Sequence, residues 1–411
     1  MTGAPVSDLR LLFTTRILRL FAYGFLSVVL VLYLAAAGLS QAQIALLLTL
    51  TLVGDAAISL WITTSADRIG RKRMLILGAA LMALAGVLFA TTSSFVPLLV
   101  AATIGVISPS GNEVGPFLAI EQAALAEEIP AAQRTRIFAW YNLVGSFATA
   151  IGALAGGGLV HLLQGRGHTP HASYQAVVVG YAVVGVALVG LFTRLSAAAE
   201  PPASERRSRR PAFLEADLGL ERSRGNVLQL AGLFTVDAFA GGFVVQAYVA
   251  YWFHTRFGVA PATLGAIFFG ANLLAGLSAL SATWLAARIG LLRTMVATHL
   301  PSNVLLALVP LMPNLPLAMT VLLLRFSISQ MDVPTRQAYT MALVVPAERS
   351  AAAGLTGIAR TLGAAIAPLV AGPLYASAAL ASVPFIVAGG LKILYDLAVW
   401  RVFRRVELPA E

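Results

Sequence analysis

Runs of about 20 consecutive apolar residues dominate this chain, and that is the length an α-helix needs to cross a bilayer core. Twelve can be marked, at 11–36, 43–64, 74–92, 97–122, 137–163, 174–193, 227–253, 262–286, 294–312, 317–344, 354–377 and 379–400. Hydrocarbon offers no partner to a backbone N–H or C=O, so each run must close its own hydrogen bonds as a helix. Composition agrees. Of 411 residues, 58% are hydrophobic and 11% charged, against about 25% charged in a soluble domain. The expected fold class is an all-α membrane protein with twelve transmembrane helices.

One long polar stretch, Ser196 to Asn226, interrupts the series and contains EPPASERRSRRP. It divides the chain into a six-helix bundle over 1–195, a linker over 196–226 and a second six-helix bundle over 227–411. The short loops are asymmetric in charge. Arg68, Arg71, Lys72, Arg73, Arg134, Arg136, Arg288, Arg293, Arg349, Arg401, Arg404 and Arg405 fall on one side with the linker arginines, while Arg166 and Arg256 fall on the other. The basic side is the cytoplasmic one, so both termini and the linker are expected in the cytoplasm. Met1 to Arg10 carries Asp8 and Arg10, and the first run is too long for a cleavable signal.

The net charge of +10 does not read as a nucleic-acid surface, because the basic residues cap apolar segments instead of lining one amphipathic face. With no cysteine in the chain, disulfides, thiolate catalysis and cysteine-held metals are excluded. The five histidines include no helical His-x-x-x-His pair, so neither metal nor cofactor is expected. His161, His168 and His171 cluster near one outer loop and read as a solvated group.

The two halves repeat one another. Ala132-Gln133-Arg134-Thr135 matches Ala347-Glu348-Arg349-Ser350, and at that offset Glu121-Gln122-Ala123 falls on Arg336-Gln337-Ala338. Arg68-Ile69-Gly70 falls on Arg288-Ile289-Gly290. Gly24-Phe25 and Tyr33 fall on Gly242-Phe243 and Tyr251, which places Arg19 at the repeat position of Asp237.

Between the second and third runs lies Ala66-Asp67-Arg68-Ile69-Gly70-Arg71-Lys72-Arg73. It resembles the loop signature of the major facilitator superfamily, with Thr63 and Ser65 standing where that pattern has glycine and leucine. The resemblance implies two pseudo-symmetric six-helix bundles with a substrate site near the bilayer midplane between them. It also implies a cytoplasmic gate in which Asp67, with Arg71 as its basic partner, contacts the end of the eleventh helix and helps latch the cytoplasmic side closed. Gly145, Gly152, Gly156, Gly157 and Gly158 resemble the glycine-rich antiporter signature of drug exporters in the same superfamily, without its Gly-Pro step. Small residues also serve close helix packing.

Ionisable residues inside apolar runs are costly unless they face a partner or a cavity. Ten stand out: Arg19, Asp55, Glu113, Glu121, Asp237, Arg325, Asp332, Arg336, Lys392 and Asp396. Seven of them, Arg19, Glu113, Glu121, Asp237, Arg325, Asp332 and Arg336, lie in the first, fourth, seventh and tenth runs, which the resemblance makes the lining of the substrate and ion pathway. Arg325, Asp332 and Arg336 fall within about 20° of one line on a helix. Ser108-Pro109-Ser110-Gly111-Asn112-Glu113-Val114-Gly115-Pro116 cannot form a continuous helix. Opposite charges at repeat positions, Arg19 with Asp237 and Glu121 with Arg336, suggest either pairing across the halves in at least one conformation or mutual balance at a distance. Lys392 and Asp396, one turn apart, suggest a local pair.

The expected function is secondary active transport of a small organic molecule by a monomer in the cytoplasmic (inner) membrane. Proton-coupled efflux is the first reading, with Glu113 or Asp332 carrying the proton. Uptake or anion exchange, motivated by Arg19, Arg325 and Arg336, is the alternative. A membrane enzyme or receptor is disfavoured, because the chain has neither a nucleotide loop nor a soluble domain.

Overall fold

The computed structural model describes residues 5–113, 115–196, 199–200, 223–345 and 348–406. The linker expected over 196–226 lies mostly outside the described residues, as does the side chain of Asp67. Two compact units are present, Met1–Ala216 with Ala260–Phe269, and Asp217–Val259 with Gly270–Glu411.

Among the described residues the only regular structure is helical. The first half contains α1 (Pro5–Ser27), α2 (Leu30–Ala36), α3 (Gln41–Ile69), α4 (Arg71–Thr91), α5 (Phe95–Ile104), α6 (Phe117–Glu128), α7 (Ala131–Gly165) and α8 (Pro170–Phe192). The second contains α9 (Arg224–Gly242), α10 (Gln246–Phe257), α11 (Pro261–Ile289), α12 (Leu291–Leu308), α13 (Leu315–Ser329), α14 (Asp332–Ala342), α15 (Arg349–Ala376) and α16 (Val383–Phe403). Local signals set several starts. Ser40 and Gln43 form a reciprocal capping box at α3, Thr169 followed by Pro170 caps α8, and Asn314 accepts from the Leu317 N–H at α13.

Nine helices among the described residues are long and apolar enough to cross a membrane, and a tenth forms if α1 and α2, bent by 47°, make one span. The two apolar runs that fall short of this are the fourth and the tenth. Each is divided, into α5 and α6 around residues 105–116, and into α13 and α14 around Gln330 and Met331. The break in the tenth run precedes Pro334 by four residues, which leaves that proline in the first turn of α14, where its missing N–H costs nothing.

The internal repeat reappears as geometry. Gly70 and Gly290, at matching positions, both take positive φ, of 118° and 88°, to turn the chain between consecutive helices. A Cβ on Gly24 of α1 would sit 2.0 Å from the Thr149 carbonyl oxygen of α7. A Cβ on Gly242 of α9 would sit 2.7 Å from the Ala364 carbonyl oxygen of α15, the repeat equivalent. The helix pairs α1–α7 and α9–α15 are therefore built on the same close approach. The signature glycines of α7 serve it too, since a Cβ at Gly152 or Gly156 would lie 2.0 or 2.4 Å from the carbonyl oxygens of Phe21 and Phe25. Gly24→Ala should therefore force α1 and α7 apart at an overpacking cost of about 1–3 kcal/mol and lower the melting temperature of the purified protein. Gly158→Ala, whose Cβ would meet nothing within 4 Å, should leave it unchanged.

Candidate functional site

The divided fourth span is opened by its own sequence. Gly111 and Gly115 take positive φ, of 70° and 82°, and Ser108 Oγ donates to the Asn112 carbonyl at 2.7 Å. The carbonyls freed by the break find partners on packed helices. Tyr181 of α8 donates its hydroxyl to the Val106 carbonyl, and Thr149 of α7 donates to that of Gly111 at 3.3 Å. Irregular backbone at membrane depth persists only when its groups are satisfied this way.

Against this break stands a buried ionic cluster. Arg19 of α1 grips Glu121 of α6 through two bonds of 2.7 Å, and both residues are 0% exposed. The fork-to-fork geometry matches two guanidinium donors to two carboxylate oxygens. Thr15 adds a third bond to Glu121 at 3.1 Å, and the Tyr141 hydroxyl a fourth. Arg19 Nε also donates to Glu113 at 2.9 Å, and Arg16 Nη1 meets the other oxygen of Glu113 at 2.7 Å. Gly145 leaves room for Arg16, because a Cβ there would fall 2.8 Å from Arg16 Nε. No basic residue lies within four positions of Glu113 in the sequence, yet α1 packs beside the break and brings two arginines to it. Asp55 of α3 differs. It takes a long bond from Ser59 at 3.4 Å and one from the Gly115 N–H, and it feels the like charge of Glu113. No cation lies within ion-pair distance of it among the described residues.

The second half holds a corresponding cluster with the signs exchanged. Asp237 of α9 is met by Lys392 Nζ of α16 at 2.5 Å, Arg360 Nη1 of α15 at 3.0 Å and Arg336 Nη1 of α14 at 3.4 Å. Arg336 holds Asp332, one turn earlier, at 2.7 Å. His299 of α12 stands between two carboxylates, its Nδ1 2.7 Å from Asp396 and its Nε2 3.7 Å from Asp237. The short contact places the proton on Nδ1, so Asn303 Nδ2 donates to Asp396, at 2.9 Å, and not to that nitrogen.

Each of the repeat-related charges finds a partner inside its own half in this structure, Arg19 with Glu121 and Asp237 with Arg336. The local pairing expectation changes. Lys392 and Asp396 do not neutralise one another; Lys392 turns to Asp237, and Asp396 to His299 and Asn303. Arg16, His299 and Arg360 complete the clusters although the ten-residue set omits them. All three lie inside apolar runs, so the criterion that selects Arg19 also finds them. Arg325 joins no ion pair among the described residues. Arg71 is buried against Ala199, and its N–H and that of Lys72 donate to the Glu200 carboxylate at 2.8 and 3.1 Å, which caps α4.

Two halves of like helices, each with an ionic knot at a broken span, leave the family to be decided by comparison. The family model of the Major Facilitator Superfamily matches residues 12–331. The chain belongs to that superfamily. It is 31% identical over 425 residues, covering 97% of this chain and 95% of the relative, to the uncharacterised membrane protein YJR124C of Saccharomyces cerevisiae. Among solved structures it shares its fold with the nucleoside transporter NupG, at a TM-score of 0.76 with 13% identity over 97% of this chain and 100% of that one. A D-xylose–proton symporter matches at 0.69 with 16% identity, over 97% and 98%. The chain is thus a multi-pass membrane transporter of the Major Facilitator Superfamily.

Breaking a buried pair by removing one partner costs about 3–5 kcal/mol, because the survivor stays charged in a dry site. Arg19→Glu or Glu121→Arg alone should abolish monodisperse protein on size exclusion, and the double exchange should recover part of it. Arg19→Asp combined with Asp237→Arg should recover none, since those two side chains have their partners in separate halves.

Proposed function

We propose that this transporter moves a small organic molecule across the cytoplasmic (inner) membrane by alternating access, driven by protons, with export as its direction. Its two bundles are read as 1–195 and 227–411 joined by a cytoplasmic linker, and the arginine asymmetry of the loops supports a cytoplasmic location for both termini. A reporter active only outside the cytoplasm, fused after Glu411, should stay silent while a cytoplasmic reporter at the same site gives full signal.

The observation that carries the proton reading is the unequal pairing of the first-half carboxylates. Glu113 and Glu121 are each held by arginine, whereas Asp55 has only a hydroxyl and a backbone N–H. A carboxyl group that meets no cation can accept and release a proton without breaking an ion pair. Loss of the proton sets a second negative charge beside Glu113 and competes for Arg16 and Arg19. The competition loosens the bonds between α1 and the broken span, and such a two-state element is what coupling requires. Glu113 and Asp332 then act as ion-pair partners that shift with the conformational change, and Arg19, Glu121, Asp237 and Arg336 as the fixed knots of each half. Asp67 and Arg71 are read as the cytoplasmic gate.

Export rests on the glycine pattern of α7, three of whose members, Gly145, Gly152 and Gly156, are also explained by packing on α1. Uptake or anion exchange is therefore the second reading, and the unpaired Arg325 is the observation that favours it. Asp55→Asn should abolish pH-gradient-driven transport in proteoliposomes while counterflow exchange of substrate continues. Glu113→Gln should instead reduce the yield of folded protein. If transport by Asp55→Asn remained fully gradient-dependent, the proton would not travel on Asp55.

A further inference from the structure

A cation deep in a bilayer costs several kcal/mol unless something answers its charge. Away from the span ends, the cations of this protein are Arg16, Arg19, Arg325, Arg336, Arg360 and Lys392. Five have a carboxylate oxygen at 3.4 Å or closer. Arg325 has none among the described residues, and its Nε is buried without a hydrogen-bond partner. The guanidinium carbon lies 4.9 Å from the ring of the adjacent Phe326, a contact that leaves this donor free.

Arg325 does not escape to lipid. The buried residues of α13 are Ala318, Leu322 and Ser329, and Arg325 occupies the remaining place on that stripe, seven residues after Ala318 and four before Ser329. Leu317 and Leu324, 45% and 53% exposed, mark a different face. Ser329 is 5% exposed, and its hydroxyl oxygen also has no partner. Two unanswered polar groups therefore stand one helical turn apart on one protein-facing stripe, where α13 ends and the tenth span divides. Depth removes a lipid headgroup as their natural partner. At 1.5 Å per residue, the ten residues from Leu315 carry Arg325 about 15 Å inward, about half the thickness of a hydrocarbon core. Asp237 and Asp332 act on Arg325 through space, but Lys392, Arg360 and Arg336 take both oxygens of Asp237, and Arg336 holds Asp332 through Oδ2, with no Asp332 oxygen within ion-pair distance of Arg325.

The surplus is visible in the count. Asp237, Asp332 and Asp396 face Arg325, Arg336, Arg360 and Lys392, so one positive charge remains unanswered when His299 is neutral.

We propose that Arg325, with Ser329, is the anion subsite of the substrate path, and that the transported molecule is an organic anion bearing a carboxylate or phosphate group. The planar guanidinium matches either oxyanion through parallel N–H bonds, and the Ser329 hydroxyl supplies a further donor. This inference rests on the transporter reading above.

The test uses the purified full chain in detergent, with no gradient present. Its melting temperature is measured against a panel of carboxylates and phosphate monoesters, benzoate and phenyl phosphate among them, each beside its neutral amide or alcohol. Anions should raise the melting temperature where their neutral counterparts do not. Arg325→Gln should weaken the half-saturating concentration about ten- to hundred-fold, and Arg325→Lys should retain part of the effect. Without ligand, Arg325→Gln should melt higher than the parent, because a charge without a partner has been removed. A lower melting temperature for Arg325→Gln with the anion shift intact would assign the arginine a structural role and overturn the proposal. So would a panel in which no anion outperforms its neutral counterpart, or loss of folding in both variants. Vesicle transport of a stabilising anion that ignores the pH gradient would sink proton coupling and leave the anion subsite standing. Gradient-driven transport of a neutral compound, unaltered by Arg325→Gln, would do the reverse.

Discussion

A bilayer interior has neither donors nor acceptors, so a charge held there costs several kcal/mol unless protein or cargo answers it, and the architecture of each half follows from that demand. The Arg19–Glu121 pair ties α1 to α6, and the Asp237 knot ties α9 to α14, α15 and α16. A close helix contact stands beside each tie. The glycines at 24, 152 and 156 let α1 and α7 approach until a Cβ would strike a backbone carbonyl, and Gly242 does the same for α9 and α15. Close packing fixes one neighbour of α1 and of α9, and the charges tie each of them to further helices. Pairing a buried charge offsets a desolvation cost without adding a large surplus of stability. The knots therefore specify arrangement more than they strengthen it.

Much of this was legible in the sequence. The apolar runs were readable from length alone, and the interruption of the fourth run from two prolines and two glycines. The repeat was readable from scattered matches that recur as geometry, down to positive φ at Gly70 and Gly290. The partners of the charges were not legible. Repeat equivalence says that Arg19 and Asp237 occupy the same place in two halves, which argues for similar surroundings and not for contact. The contact partner sits on the helix that packs alongside, and no offset in the sequence reports that. The Lys392–Asp396 spacing misled for an energetic reason. An i,i+4 pair is worth a few tenths of a kcal/mol on a solvated helix, whereas a buried Asp237 without counter-charge costs far more, so Lys392 is drawn to it.

The two divided spans sit at equivalent places yet are built differently. The fourth opens over residues 105–116, with positive-φ glycines and side-chain hydroxyls that take up freed carbonyls. The tenth opens over two residues, Gln330 and Met331, with a proline placed in the next first turn. In repeat register Arg325 falls on Ser110, inside the wider break. One half thus presents open backbone and a serine at this position, with the Glu113 carboxylate three residues on, and the other presents a cation. An internal duplication that began with two like halves has acquired opposite chemistry at its equivalent sites.

That asymmetry has an electrostatic consequence for the proposed cycle. In the first half, Asp55, Glu113 and Glu121 face Arg16 and Arg19, leaving one negative charge unanswered; in the second, the unanswered charge is positive. A proton on Asp55 cancels the first surplus, and an anion on Arg325 cancels the second. Each proposed cargo neutralises the group that receives it, so the proton-loaded and the anion-loaded states each carry one uncompensated charge fewer at membrane depth than the empty protein. A transporter that must rearrange its helices around a dry midplane meets a lower barrier in those two states than when empty, which suits an exchange. Cargo binding would then favour the rearrangement by removing the charge that opposes it, because a ligand shifts a conformational equilibrium only through such a difference in affinity between states.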